Sequence, residues 1–370
     1  MKTLLKLVII TLTISTFTCY ANNPKAKQQI KVALLLDTSN SMDGLINQAK
    51  TQLWEIVNEL SYAKCGTLQP DLKIALYEYG NDGLEQSDGF IRQVLNFSDD
   101  LDEISKKLFA LKTNGGSEYC GAVIQNSLKN LDWGNTKNDL KLIFIAGNEP
   151  FTQGKISYKE AAALANEKDI TINTIFCGNY ENGISGKWQE GAQLTKGDYM
   201  TINHNEEIVH IKTPYDKVII ELNSKLNNTY INFGSQGNYK KQLQTEQDDE
   251  AGYLNEVVIV KRAVSKSSRM YKNDSWDLVD ASKNKDFSID KIDKKSLPKQ
   301  LQNKSSSELK KYVETQQKER EEIQHKIQKL NNLRKQFIAE QTVNTKSNNL
   351  ENALISAIKK QATSKNFSWK

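Results

Sequence analysis

An aspartate and two serines stand at alternate positions in Asp37-Thr38-Ser39-Asn40-Ser41. One anionic and two neutral oxygen donors at this spacing suit a hard divalent cation such as Mg2+ or Ca2+. The run before them, Val32 to Leu36, is short, unbroken and aliphatic. It predicts a strand buried on both faces, as in a parallel sheet. Ligands of such sheets bind where the strands' carboxyl ends stop, and Asp37, Ser39 and Ser41 fall at that end. A turn of Asp and Ser also arises simply to cap the following helix through Asp37 or Ser41, so the triplet needs support from the rest of the chain.

The elements downstream supply a sheet for it. Leu45, Ile46, Ala49, Leu53, Ile56, Val57 and Leu60 recur at helical spacing over 43–60, and Gly66 and Pro70 end that helix. Residues 72–79 and 90–97 read as strands joined by a short polar turn, which predicts an antiparallel edge strand. Ser98 or Asp99 caps a helix that runs to about residue 111. The loop Gly115-Gly116-Ser117 follows, with a further hydroxyl, and then a helix over 119–131. A strand over 140–146 ends in Gly147-Asn148-Glu149, Ser157 caps a helix over 158–167, and strands over 170–176 and 199–202 complete the pattern. Strands alternating with helices predict an α/β, doubly wound sheet over residues 29–205, mostly parallel with one antiparallel edge strand.

Beyond it the composition shifts to Lys, Gln, Asn, Ser and Glu with scattered apolar residues. Residues 206–300 read as a helical extension and linker, helical over 214–233 and 253–279 and loop-like over 273–302. Over 307–340, Leu309, Val313, Gln316, Arg320, Ile323, Ile327, Leu330, Arg334 and Phe337 recur at spacings of four and three. That is the seam of a long amphipathic or coiled-coil helix, with three polar positions among nine. The seam either pairs with another chain, giving self-association, or packs on its own domain. A short amphipathic helix over 349–364 ends the pattern.

The net charge of +5 is modest for 370 residues, and acidic residues occur throughout. No concentrated basic surface follows, which argues against nucleic acid as a partner. Residues 1–21 combine Lys2 and Lys6, an apolar stretch over 7–17 and small residues near Cys19-Tyr20-Ala21. They read as a secretory signal peptide cleaved after Ala21, with too short an apolar run for a comfortable membrane span. Acylation of Cys19 is the competing reading, although Thr16-Phe17-Thr18 is a poor lipobox. No other segment is apolar enough to cross a bilayer, and the expectation is an exported protein, periplasmic or extracellular. In such a compartment Cys65, Cys120 and Cys177 can form at most one internal bridge. Cys120 with Cys177 is the pair near the cation end of the sheet, and two buried thiols are the alternative. There is no Cys-x-x-Cys, and His204, His210 and His325 do not cluster with the cysteines, so a zinc site is not expected.

Together, Asp37-x-Ser39-x-Ser41, Gly115-Gly116-Ser117 and the strand order resemble the von Willebrand factor type A family over about half the chain. Gly116-Ser117-Glu118-Tyr119-Cys120-Gly121 and the stretch from Phe144 to Phe151 are similar to an exported bacterial subgroup of that family. The resemblance implies a metal-ion-dependent adhesion site for one Mg2+, or Ca2+ or Mn2+. It implies Ser39, Ser41 and Ser117 as direct ligands and Asp37 acting through water. It further implies that an open coordination position accepts a carboxylate from a partner protein. The chemistry is consistent, since Mg2+ retains several waters and neutral hydroxyls leave it electrophilic. The family usually carries a further Asp in a Thr-Asp-Gly turn after the fourth strand, where this chain has Ala146-Gly147-Asn148-Glu149. Glu149 or Asn148 then reaches in, or water fills the gap, and fewer fixed charges weaken cation affinity. Glu118 and Tyr119 flank the site.

The expected function is therefore an exported, divalent-cation-dependent protein-binding module and not an enzyme. One alternative is an envelope scaffold acting through its C-terminal helices with a vestigial metal site. Another is a phosphoryl-transfer enzyme with Asp37 as nucleophile. Such enzymes usually place an acid/base Asp two residues later, where this chain has Ser39, and there is no Walker loop or His-Glu-x-x-His. Trp54 and Trp133 read as packing residues.

Overall fold

The strand that carries Asp37, β1 (Gln29–Asp37), is buried from Ile30 to its end, and burial on both faces puts it at the centre of the sheet. The computed structural model describes residues 28–66, 68–203, 211–342 and 350–369; the signal peptide expected over 1–21 lies outside them. β3 (Asp71–Tyr79) and β5 (Leu140–Gly147) flank β1, both parallel to it. β6 (Thr171–Cys177) and β7 (Tyr199–Ile202) extend one side in parallel, and β4 (Ile91–Ser98) closes the other as an antiparallel edge. The order is β4-β3-β1-β5-β6-β7, the doubly wound sheet that the alternating pattern predicts. A separate two-stranded ladder joins β2 (Ala63–Cys65) to β8 (Phe367–Trp369). At three residues each, these strands are too short to carry a readable period.

Strand periodicity sends alternate residues to opposite faces. Val32, Leu34, Leu36, Ile74, Leu76, Leu142 and Phe144 face α1 (Asp43–Ser61) and α2 (Leu101–Phe109). Ala33, Leu35, Ala75, Tyr77, Ile143 and Ile145 face α3 (Cys120–Asn130) and α4 (Tyr158–Glu167). Two short helices, α5 (Tyr180–Ser185) and α6 (Trp188–Gln193), lie between β6 and β7, with Trp188 buried on the second face. Trp54 and Trp133 are buried packing residues, as expected.

The C-terminal part is a second helical layer over α1 and α2. Its helices are α7 (Asp216–Asn228), α8 (Gly237–Leu254), α9 (Glu256–Lys266), the short α10 (Leu278–Ala281) and α11 (Lys299–Gln302), α12 (Ser306–Thr342) and α13 (Leu350–Thr363). Apolar residues of α7, α9, α12 and α13 continue the core of the first sheet face. The sequence reading placed no helix over 237–254, because what α8 buries is mainly polar: Gln244, Gln247 and Asp248 beside Leu243 and Ala251. Its apolar stripe is therefore nearly absent, and Gln244 and Asp248 meet partners remote in sequence, Tyr271 for the first and Arg262 and Lys266 for the second. The helix expected over 253–279 stops at Lys266, and α10 appears only after a turn.

Charged groups join the two layers. Arg262 of α9 is fully buried, paired with Asp102 of α2 at 2.8 Å and Asp248 of α8 at 2.6 Å, and stacked over Trp54 of α1. Lys266 donates to Asp248 at 2.7 Å, and Asn223 and Asn227 donate to the same carboxylate.

The seam of α12 packs within its own chain. Leu309 and Val313 enter a small cluster with Leu278, Leu297 and Leu301, while Ile323 and Ile327 join the main core. Two of its three polar positions are ion-pair sites: Arg320 donates to Asp277 at 2.6 Å and lies 3.8 Å over the Tyr230 ring, and Arg334 donates to Asp216 at 2.8 Å. Replacing fully buried Ile327 by Ala is expected to lower unfolding free energy by roughly 2–4 kcal/mol. Urea unfolding at two protein concentrations a hundredfold apart should give the same loss; a concentration-dependent loss would mean the seam also serves a second chain.

Candidate functional site

The parallel strands end together. Register sets Asp37 of β1 beside Tyr79 of β3, and Leu36 beside Ala146 of β5. Asp37 thus lies between Gly80 and Gly147 at the carboxyl edge of the sheet. Gly80 has φ +77°, and a Cβ there would meet Glu118 Cγ at 2.7 Å and Asp37 Oδ1 at 2.9 Å. Only a residue without a side chain gives both that conformation and that space. A Cβ on Gly147 would lie 2.5 Å from Tyr79 Oη and 3.1 Å from Asp37 Oδ2. The carboxyl group therefore sits between two bare backbone segments, Oδ1 toward Gly80 and Glu118 and Oδ2 toward Gly147.

Asp37 is fully buried, and its Oδ1 accepts the Ser39 N–H at 2.7 Å. That bond tightens the loop as an Asx turn, and a single 3-10 turn over Asn40–Met42 leads into α1. Met42, buried in the core, anchors it. Asp37 Oδ2 and Ser39 Oγ are buried without a hydrogen-bond partner. The Ser39 hydroxyl lies beside the carboxyls of Asp37 and Glu118 but forms no well-directed bond to either. Ser41 is exposed, and its Oγ accepts from Asn148 Nδ2 at 3.0 Å.

The second loop is tied to the first through its backbone and short side chains. The Asn114 N–H donates to the Thr38 carbonyl at 2.9 Å, Asn81 Nδ2 to the Lys112 carbonyl at 3.0 Å, and the Thr113 hydroxyl to Asp43. Ser117, half-buried, follows these contacts. Glu118 then turns inward and is buried against Asp37. Its N–H donates to Gln153 Oε1 at 2.6 Å, and its Oε2 accepts the Glu149 N–H at 3.3 Å. Burial, reinforced by Glu118, holds the Asp37 carboxyl well above the usual carboxylate range, and burial raises Glu118 as well. Two carboxyls so placed cannot both ionise uncompensated: they share a proton or face a cation.

Of the five residues expected at the site, Asp37, Ser39, Ser41 and Ser117 stand on these two adjoining loops. Glu149 is exposed, and it engages the site through its backbone N–H. Glu118, which the sequence marked only as flanking, is the carboxylate that meets Asp37. Its signal was its place directly after a candidate ligand hydroxyl, in a chain lacking the carboxylate after the fourth strand. Among the described residues, no three His, Cys, Asp or Glu side chains converge, so the oxygen set consists of these two carboxyls with hydroxyls.

The model of the von Willebrand factor type A domain matches the chain over residues 31–186, from β1 to just beyond α5. This stretch is a von Willebrand factor type A domain. No curated protein matches the chain significantly. Solved structures similar to it include BatB from Bacteroides thetaiotaomicron, 17% identical over 47% of this chain and 90% of that one, TM-score 0.36. The SpRpn10 VWA domain is 15% identical over 49% of this chain and 91% of its own, TM-score 0.36. The pilus adhesin SpaC from Lactobacillus rhamnosus GG is 12% identical over 48% of this chain and 28% of its own, TM-score 0.36. Likenesses this distant say nothing of function.

Within the type A domain, the missing carboxylate after the fourth strand has a steric cause. Tyr79 Oη donates to the Ala146 carbonyl at 2.9 Å and occupies the space a side chain on residue 147 would need. Among the described residues, Cys65, Cys120 and Cys177 are free thiols. Cys120 packs on the α3 face of the sheet and Cys177 on the α1 face, so the sheet separates the pair the sequence singled out.

Proposed function

We propose that the type A domain is a divalent-cation-dependent protein-binding module that captures a carboxylate of its partner. The observation that carries this reading is the pair of buried oxygens without partners, Asp37 Oδ2 and Ser39 Oγ, at the carboxyl edge of the sheet. A buried oxygen left unpaired costs about 1–3 kcal/mol, and a bound cation supplies the missing interaction. The donor set is entirely oxygen, as Mg2+, Mn2+ and Ca2+ prefer. Ser39, Ser41, Ser117 and Asp37 would hold the ion, and the ion would supply a positive centre for an incoming carboxylate. Asp37 is a poor candidate for a phosphoryl-transfer nucleophile, because it is fully buried with Oδ1 engaged by Ser39.

No helix among the described residues is long and apolar enough to cross a membrane. Lys2, Lys6 and the apolar stretch over 7–17 support a module that works after export. The C-terminal helices brace the face of the sheet that bears α1 and α2.

Calorimetric titration with MgCl2 and MnCl2 tests the reading. Wild type is expected to bind one ion, and Ser39→Ala to bind it about ten- to a hundredfold more weakly. An absence of heat and of thermal stabilisation with either cation would rule the reading out.

A further inference from the structure

We infer that Glu118 is a cation-ligating carboxylate of this site, supplied from the second loop where residue 147 cannot supply one. The inference rests on the cation-binding reading above and names a residue it does not require. Glu118 Cγ and Asp37 Oδ1 lie within 3 Å of one point, the place a Gly80 Cβ would take, at 2.7 and 2.9 Å. Both side chains are buried, Asp37 at 0% and Glu118 at 3% exposure. Among the described residues no lysine or arginine pairs with either, whereas elsewhere in this chain buried carboxylates such as Asp248 and Asp277 are met by Arg or Lys. Two adjacent buried carboxyls without a basic partner are costly unless they share a proton or a cation completes them, and the cation is the alternative that also engages the unpaired Ser39 hydroxyl.

The surroundings hold Glu118 in this position. Its own N–H is fixed by Gln153 and its Oε2 by the Glu149 N–H, so the side chain is clamped between the second loop and the turn after β5. The Ser39 hydroxyl, buried and without a partner, stands beside both carboxyls. Glu149 itself has an exposed side chain and engages Glu118 through its backbone N–H. A purely structural acid at 118 gains little here, since a glutamine would accept the same N–H without facing Asp37 charge to charge. With Asp37 and Glu118 both ionised, the chain itself balances a divalent charge, and the ion is retained before any partner arrives.

Titration of the whole protein with MnCl2, with thermal melting in parallel, tests this assignment. Glu118→Gln is expected to weaken Mn2+ binding at least about tenfold, and Glu149→Gln less than about threefold. Glu118→Gln should also gain less in melting temperature from added Mn2+ than wild type does. Unchanged Mn2+ affinity in Glu118→Gln overturns the inference while the type A site reading stands. So does a loss in Glu149→Gln equal to that in Glu118→Gln. No binding by wild type overturns both. Should Glu118→Gln fail to fold, Glu118→Asp keeps the charge but draws it back by one methylene. It is expected to bind at least about threefold more weakly, and equal affinity overturns the inference.

Discussion

Arg262→Met is expected to destabilise the protein by about 3–5 kcal/mol at neutral pH. The guanidinium is wholly buried, bridging Asp102 on α2 and Asp248 on α8 while lying 5.0 Å over the Trp54 ring. Methionine replaces its stem but leaves two buried carboxylates with Lys266 as the remaining cation on Asp248. Burial alone would raise Asp248, yet Lys266 and Arg262 together hold it well below the ordinary carboxylate range. A carboxyl lowered in the folded state contributes stability above its unfolded pKa and loses it as pH falls through the folded value. The variant has less of this stability to lose, so the gap to wild type should be widest near pH 7. It should narrow below about pH 4, where the unfolded chain takes up its proton. Urea unfolding at pH 7 and at the lowest pH that keeps both proteins folded measures this. A loss under 1 kcal/mol at pH 7, on the same scale, would show that the extension is held by its apolar contacts alone.

Gly147→Asp restores the residue the family usually carries, and it is expected to do harm. Its Cβ would meet Tyr79 Oη at 2.5 Å and the Trp188 ring at 3.1 Å, in a fully buried strand end. Overpacking of this kind costs about 1–3 kcal/mol, and a third carboxyl beside Asp37 and Glu118 adds charge repulsion to it. The expected result is a lower melting temperature with no gain in Mn2+ affinity. Adding Tyr79→Phe removes the clashing hydroxyl and should return part of the stability. A Gly147→Asp protein as stable as wild type that binds Mn2+ more tightly would mean that Tyr79 readily yields its place.

The two substitutions mark the limits of what residue order reveals. Largely apolar runs such as Val32 to Leu36 and Leu140 to Ala146, buried at every position, announce central strands, because each residue's environment follows from its immediate neighbours. Ser157 caps α4 as its position before the periodic stretch suggests. The helix α8 is illegible for the opposite reason, since Gln244 and Asp248 are polar by type and are buried against Tyr271, Arg262 and Lys266, which arrive from elsewhere in the chain. The seam of α12 was equally legible as a period and equally silent about its partner. Arg320 and Arg334 read as flaws in a heptad until Asp277 and Asp216 are seen opposite them.

By itself, then, the sequence determined the six strands of the main sheet, the helices α1 to α4, the end of β1 where Asp37, Ser39 and Ser41 cluster, and the absence of a carboxylate at Gly147. Each of these is a property of adjacent residues or of a short period. The tertiary structure alone decided which acid faces Asp37. Glu118 stands just before α3 and Glu149 just after β5, and only the packing of two loops remote in sequence buries the first and leaves the second in solvent. It also decided why residue 147 is bare, because the side chain that fills its space belongs to Tyr79 on a neighbouring strand. Contacts between distant segments are set by which groups can share a buried volume, and local patterning does not encode that choice.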